Sequence, residues 1–214
     1  MSGQRNFDVL VVGGGAAGLM AAGTLLQRGR TVALFDKNQQ LGRKLRITGK
    51  GRCNVTNDCA VEEAVVACPR GGKFLYGAFS YFTPQDTMAF FEELGVPLKV
   101  ERGRRVFPQS DSAHDIAQAL VRYAAGAQVF REPVTELVLR EGRVKGATGG
   151  VSYPLTGSTG DGYRLASQAG HRVVDPEPSL VPLVAKGEDC SRLMGLSLRN
   201  CGVKVTQRGK KKPV

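Results

Sequence analysis

Three glycines and one acid stand at a spacing that can hold a dinucleotide. Gly13, Gly15 and Gly18 form a G-x-G-x-x-G run enclosing Ala16 and Ala17, and Asp36 follows 18 residues after Gly18. The first glycine permits a tight turn, the second lets the backbone approach a pyrophosphate, and the third lets a helix pack closely on a strand. Unpaired N–H groups at the start of that helix would face the phosphates. Asp36, with Lys37 beside it, would meet the ribose hydroxyls, and its charge disfavours a 2′-phosphate, hence NADP, at this site. A glycine-rich turn that only packs a helix on a sheet would carry the same glycines.

Two further segments carry polar chemistry. The first is Gly42-Arg43-Lys44 followed by Thr48-Gly49-Lys50-Gly51-Arg52-Cys53-Asn54. Five cations fall between positions 43 and 52 with no acid, and the glycines let the chain bend around a ligand. This suits phosphate and ribityl contacts; a solvated basic loop, or one facing nucleic acid, is the alternative. The second is Thr148-Gly149-Gly150 with Thr159-Gly160-Asp161-Gly162. An Asp between glycines at a helix start can reach a ribityl chain or ring edge, or can act only as a cap.

The elements that must position these residues follow from periodicity. Asp8 to Val12 reads as a strand, Leu19 to Leu26 as a helix stopped at Gly29, and Thr31 to Phe35 as a second strand. This β-α-β unit encloses the glycine run and ends on Asp36. Positions 38 to 73 are polar, basic and without period, which predicts a long irregular stretch of the kind that binds something. Thr83-Pro84-Gln85-Asp86 predicts a helix start, with Met88, Phe91 and Leu94 on one face and Gly95 as its end. Strands are expected at Val96 to Val100, Arg105 to Phe107, Gln128 to Phe130 and Thr135 to Leu139. Ser112 is expected to cap a helix bearing Ile116, Leu120, Val121 and Ala124. Glu141-Gly142 signals a hairpin, and Asp161 to Ala169 a short helix. Val173 to Val184 reads as extended chain interrupted by prolines. The fold class is α/β, doubly wound.

Composition limits the function classes. Of 214 residues, 42% are hydrophobic and 23% charged, which excludes a mostly disordered chain. No apolar run reaches the roughly 18 residues that span a bilayer, and the polar start, Met1 to Phe7, offers no signal core, so a cytoplasmic location is expected. Lys and Arg number 30 against 19 Asp and Glu, a net charge of +11 that favours anionic partners. Five cysteines is an odd count and reads as cytoplasmic thiols. Cys53 and Cys59 invite a redox-pair reading, but the C-x5-C spacing disfavours it, and with no CxxC pair no metal site is expected. His171 reads as a helix-terminal structural residue, and His114, in a helix's first turn, as a surface residue.

The blocks VVGGGAAGLMAA, LGRKLRITGKGRCNVTN, GGKFLYGAF, GRRVFPQS and ATGGVSYPLTGSTGDGYRLA resemble the YhiN/BaiN-like family of FAD-dependent oxidoreductases. More distantly, the ATGG and TGDG blocks are similar to fumarate-reductase-type flavoproteins. The resemblance runs from about Phe7 to Asn200. It implies FAD on a Rossmann-type domain, here positions 1–180, followed by the start of a β-rich inserted domain over 181–214. It implies reduction by NAD(P)H and passage of a hydride through flavin to a small organic acceptor, such as an unsaturated carbonyl or steroid-type compound. The implied FAD-binding set is Gly13, Gly15, Ala16, Ala17, Gly18, Asp36, Lys37, Gly42, Arg43, Lys44, Thr48, Gly49, Gly51, Arg52, Cys53, Asn54, Thr148, Gly149, Gly160 and Asp161. Tyr153 is a candidate proton donor near the flavin, and no residue stands out as catalytic.

The sequence departs from the family in two places. Arg143-Val144-Lys145-Gly146 runs directly into Ala147, where the family has an apolar strand, and the later flavin-contacting block is not seen. The chain therefore reads as a shortened member. Two other readings stand beside the oxidoreductase: a basic nucleic-acid-binding protein on a Rossmann scaffold, and a non-catalytic remnant. Against nucleic acid, the aromatics Phe74, Tyr76, Phe79, Tyr81 and Phe82 sit in a stretch with a single Lys. A membrane partner is not expected.

Overall fold

The structure is a computed structural model, and it describes residues 6–140, 143–144 and 160–177. The chain divides into two compact units, Met1–Asp175 and Pro176–Val214. The expectations at Thr148, Gly149 and Tyr153, and the 180/181 boundary, lie outside the described residues.

The glycine run sits where the periodicity placed it. Strand β1 (Val9–Val12) leads into helix α1 (Ala16–Gln27), which returns to strand β2 (Val32–Phe35). β1 and β2 are parallel, pairing Val9 with Val32 through Val12 with Phe35. Gly29, at φ 71°, supplies the left-handed turn that ends α1. On its other side β2 pairs in parallel with β6 (Gln128–Phe130), so the strand ending at Asp36 is the middle one of a β1-β2-β6 sheet. Phe35 and Phe130 stack at 4.9 Å between centroids across that last pair.

Positions 38 to 73 are less irregular than their composition predicts. A kinked 3-10 segment covers Leu45–Gly51, β3 is Thr56–Asn57, and helix α2 is Val61–Val66. Helix α3 (Gly72–Tyr81) follows, an element the sequence reading lacks. Its N-cap is Gly71 in the left-handed region, with no side-chain cap, so no start signal marks it. Helix α4 (Pro84–Glu93) starts as expected: Thr83 Oγ1 accepts from the Asp86 N–H at 3.0 Å, and the Asp86 carboxylate accepts from the Thr83 N–H at 2.9 Å. β4 (Leu98–Glu101) and β5 (Arg105–Pro108) form an antiparallel sheet with β3 in the order β3-β5-β4.

Helix α5 (Ala113–Tyr123) buries Ile116, Ala119 and Leu120 in a core shared with Leu19 and Ala22 of α1 and with Val32 and Leu34 of β2. Ser112 occupies its N-cap position but makes no cap bond. Ser110 acts instead, its Oγ accepting from the Ser112 N–H and donating to Asp115, because the β5–α5 turn brings it to the helix start. The expected strand over 135–139 contracts to β7 (Leu139–Arg140), which pairs antiparallel with β8 (Arg143–Val144); the turn expected at Glu141 and Gly142 lies outside the described residues. Gly160, at φ 79°, opens helix α6 (Asp161–Gln168).

Candidate functional site

The turn between β1 and α1 gives each glycine a separate task. Gly13 lies at φ 107°, where side chains are strained, and its N–H donates to the Phe35 carbonyl at 2.7 Å. A Cβ on Gly18 would run into the Gly13 carbonyl, so helix and strand touch there backbone to backbone. Gly15 is the N-cap of α1, with no side-chain cap and no acid in the first turn, and a Cβ on it would meet nothing within 4 Å. The helix start is therefore open on the side where an anion would sit. Ala16 and Ala17 form its first turn.

Asp36 closes this turn from β2. One carboxylate oxygen accepts from the Gly14 N–H at 2.6 Å; the other accepts from the Asn38 N–H at 2.7 Å and its side-chain amide at 2.9 Å. Asn38 Oδ1 in turn accepts from Arg43 at 3.4 Å, and its carbonyl accepts from Arg131 at 3.0 Å. The sequence reading missed Asn38. Its signal was an Asn two residues beyond a strand-ending Asp, where Asx side chains bond local backbone.

The basic loop returns to the same turn. The Gly42 N–H donates to the Gly14 carbonyl at 2.7 Å, and Leu41 packs against Gly14 so closely that a Cβ there would meet its side chain. Gly42 holds φ 67°, which the contact requires. The start of the loop, with Arg43, thus joins the glycine turn. The rest of the loop has its own partners. Thr48 Oγ1 donates to the Leu45 carbonyl at 2.7 Å, and Gly49 and Lys50 are both left-handed, at φ 57° and 58°. Asn54 lies against Gly49, whose Cβ would stand 3.0 Å from the Asn54 N–H nitrogen. Arg52 is held by Glu101 and Asp111 and lies 4.3 Å above the Phe107 ring. Those bonds push its pKa up, and they tie the loop to the β3-β5-β4 sheet.

Cys53 is 3% exposed with φ 59°, and burial pushes its thiol pKa up, against the thiolate a redox nucleophile needs. Cys53 and Cys59 are both free thiols. Lys37 Nζ and Asp161 Oδ2 meet at 3.3 Å, joining the end of β2 to the start of α6 at Gly160. Both partners are partly exposed, so the pair contributes little to stability; its interest is that it sets two expected site residues side by side. Among the described residues no group of three or more His, Cys, Asp or Glu is arranged to hold a metal, and no helix is long and apolar enough to cross a membrane.

The sequence profile described as the HI0933-like protein Rossmann domain matches residues 7–146, from the strand before the glycine turn to the hairpin beyond β6. The chain belongs to the HI0933-like family. This is the FAD-dependent oxidoreductase family that its motifs resemble. Among curated HI0933-like relatives, a 3-dehydro-bile acid delta(4,6)-reductase of Clostridium scindens is 30% identical over 207 residues, covering 87% of this chain and 49% of the relative. A ribosomal RNA dihydrouridine synthase of Escherichia coli is 31% identical over 196 residues, covering 84% and 48%. The chain spans about half the length of the curated relatives it matches. In fold it is similar to the open conformation of a flavocytochrome c3 fumarate reductase, with a TM-score of 0.58, 22% identity, and coverage of 78% of this chain and 41% of that one. It is likewise similar to Mycobacterium smegmatis Sdh1 in complex with UQ1, with a TM-score of 0.55, 23% identity, and coverage of 77% and 38%.

Proposed function

We propose that this HI0933-like chain holds FAD across the β1–α1 turn and takes part in reducing a carbon–carbon double bond conjugated to a carbonyl, with NAD(P)H as electron source. The observation that carries the reading is the junction at Gly14. Asp36 binds its N–H and Gly42 its carbonyl, so the turn, the strand-ending acid and the basic loop form one cradle open at Gly15. A dinucleotide fits that shape: pyrophosphate against the uncapped first turn of α1, adenosine ribose toward Asp36. Arg43 and Lys44 would add positive charge beside the phosphates. Thr48, Gly49, Gly51, Arg52, Cys53 and Asn54 would line the path of the ribityl chain, Arg52 by fixing the loop on Glu101 and Asp111 and not by touching phosphate. Asp161, with Lys37, would face the ribityl chain or ring, joined by Thr148 and Gly149.

When bound, FAD supplies the redox chemistry, taking a hydride equivalent from a nicotinamide and passing it to the acceptor. The chain's own residues bind and orient it and neutralise its phosphates; Tyr153 is the candidate for returning a proton to the acceptor. The substrate class is supported by the relatives' names. Δ4,6 reduction of a 3-dehydro bile acid and formation of dihydrouridine each saturate a C=C bond activated by a carbonyl. For the domain layout we keep a cofactor domain over 1–180 with a β-rich insertion starting at 181, supported by the division between compact units at Asp175 and Pro176.

Titration with FAD, FMN and ADP tests the cradle. FAD and ADP are expected to bind, and Gly15→Val is expected to abolish both by filling the pyrophosphate space while leaving the free protein folded. Unchanged FAD binding by Gly15→Val would move the dinucleotide site elsewhere. Oxidation of NADH or NADPH on adding an α,β-unsaturated ketone tests the chemistry separately.

A further inference from the structure

Helix α5 reaches the cradle through a side chain that the cofactor reading does not use. The helix is fixed in the core: Ala113 and Ile116 are 1% exposed and Ala117 is 0% exposed. A Cβ on Gly42 would stand 3.4 Å from the Ala117 Cβ, so the start of the basic loop lies directly on this helix. His114, in the first turn of α5, stays at the surface, yet its Nδ1 lies 2.5 Å from Nη1 of Arg46, 68 positions earlier.

Arg46 holds the start of the loop twice. Its backbone N–H donates to the Gly42 carbonyl at 3.3 Å, and its guanidinium Nε donates to the Leu41 carbonyl at 3.4 Å. Leu41 is the side chain packed against Gly14, and Gly42 is the residue whose N–H donates to the Gly14 carbonyl. One guanidinium therefore runs from a core helix to the two residues that close the cradle. A long, partly exposed arginine side chain samples many rotamers unless its far end is held. His114 holds it.

The contact fixes the state of the ring. A guanidinium has donors and no acceptor, so Nδ1 is the acceptor and the imidazole is neutral. Its hydrogen is then on Nε2, 3.3 Å from the Gln118 side-chain amide. A ring that takes up a second proton loses the lone pair at Nδ1 and sets cation against cation. The other charged groups nearby are engaged elsewhere. Asp115, next on the helix, accepts from Ser110. Asp111, in the turn before α5, is held by Arg52 and Lys99. Arg122, two turns on, donates to the Leu94 carbonyl at 3.1 Å. Across the cleft beside His114 the α4–β4 turn presents Gly95, Val96 and Pro97, which carry no charge.

We infer that His114 is a positioning residue for the dinucleotide cradle: the neutral imidazole accepts from Arg46, which keeps Leu41 and Gly42 seated on Gly14. The inference rests on the cofactor reading for what the cradle holds, whereas the relay itself belongs to the ligand-free chain. It makes the cradle sensitive to protonation over the range, about pH 5 to 8, in which imidazoles change charge.

The test is FAD titration of the full chain at a series of values between about pH 8 and about pH 5.5. Wild-type affinity should fall about three- to tenfold toward acid, the scale of one hydrogen bond. His114→Leu has no acceptor and should show that weaker affinity throughout. His114→Asn offers a carboxamide oxygen where Nδ1 stands and does not titrate, so it should keep the alkaline wild-type affinity at every pH. His114 is exposed, so both variants should fold. Hydrogen exchange of the Gly42 amide in the ligand-free chain, corrected for its intrinsic pH dependence, needs no cofactor, and protection should fall in the same order. A pH-independent wild-type affinity overturns the inference, as does Gly42 protection that is unchanged in His114→Leu. So does a pH profile that persists in His114→Asn, since that assigns the titration to another group such as His171. A wild-type chain that binds neither FAD nor ADP, while Gly42 protection still follows His114, would sink the cofactor reading and support the relay.

Discussion

The Asp36 carboxylate accepts the Gly14 N–H at 2.6 Å, although 22 positions separate the two residues. The acid that sequence spacing assigns to a ribose is thus already bonded to the turn that would cradle the phosphates. The oxygen bonded to Gly14 keeps acceptor capacity for a ribose hydroxyl, while the other already accepts two N–H bonds from Asn38. Asp36→Ala should therefore act twice. We expect it to lower the stability of the ligand-free chain by about 1.5–3 kcal/mol, the scale of a hydrogen bond to a charged group, and to weaken FAD binding further. Urea unfolding with and without FAD checks this, and an equal loss in both would leave Asp36 a purely structural role.

Gly15 and Gly18 separate folding from binding. At Gly18 an added methyl collides with the Gly13 carbonyl, which can yield only by moving the β1–α1 turn. Gly18→Ala should cost about 1–3 kcal/mol, the range for overpacking, and should lower the thermal midpoint without any ligand. At Gly15 the backbone is at φ −82°, which any residue adopts, and space is open. Gly15→Ala should keep the midpoint of the free chain and remove the upward shift that FAD produces.

Gly23 predicts a sign opposite to helix propensity. Replacing a mid-helix glycine by alanine ordinarily stabilises by about 1 kcal/mol. Here the new methyl would enter the Tyr123 ring, which packs edge-on against Phe90 at 5.0 Å and meets the Thr24 hydroxyl at 3.3 Å. Gly23→Ala should be net destabilising, by about 1–2 kcal/mol once overpacking exceeds propensity. Chemical denaturation of the single variant and of Gly23→Ala/Tyr123→Leu checks it, the second being expected to recover the loss.

Acid should loosen the β3-β5-β4 region through Glu63. Its pKa is held at about 2, first by the Arg104 guanidinium and then by the Ala60 N–H. Arg104 also depresses it through charge, and Glu101, Asp111 and Asp86 are lowered by similar bonds. A carboxylate depressed in the fold stabilises it above its unfolded pKa and loses that effect as pH falls through the folded value. Stability should be level near neutrality and decline between about pH 5 and pH 2. Glu63→Gln should flatten part of that decline in a series of urea midpoints against pH; an unchanged slope would mean that the Arg104 contact does not persist in solution.

The β1–α1–β2 unit was legible because local signals coincide there: apolar runs bracket the glycines, and Gly29 stops the helix. Thr83 announced α4 for the same reason, having both a cap oxygen and an acid three residues on. Helix α3 was hidden because its cap is a left-handed glycine and its aromatics lie on both faces, which blurs the period. β3 could not be read from its two residues, since Thr56 and Asn57 are extended only through pairing with Val106 and Arg105. At the site, the glycines and Asp36 were visible from spacing. The role of Arg52 was not, because its partners Glu101 and Asp111 are supplied by chain some 50 residues away. A basic loop reads as phosphate-binding until the acids that claim its cations are known.

The placement of β2 between β1 and β6 bears on how the chain acquires its structure in time. β1 and β2 are separated by one helix, so they can pair early and locally. The partner on the other side arrives only after residues 36–127 have been traversed, and its closing contact is the Asp36 N–H donating to the Phe130 carbonyl at 3.0 Å. Closing so long a loop between adjacent strands is entropically slow, and it is rewarded only once the intervening helices and the antiparallel sheet have condensed. The β2–β6 pairing is therefore expected to be a late event of folding. Until it forms, the strand that ends on Asp36 has an unsatisfied edge and the turn it closes has no fixed wall, so the proposed ability to hold a dinucleotide should appear in the last kinetic phase and not with the first β-α-β unit.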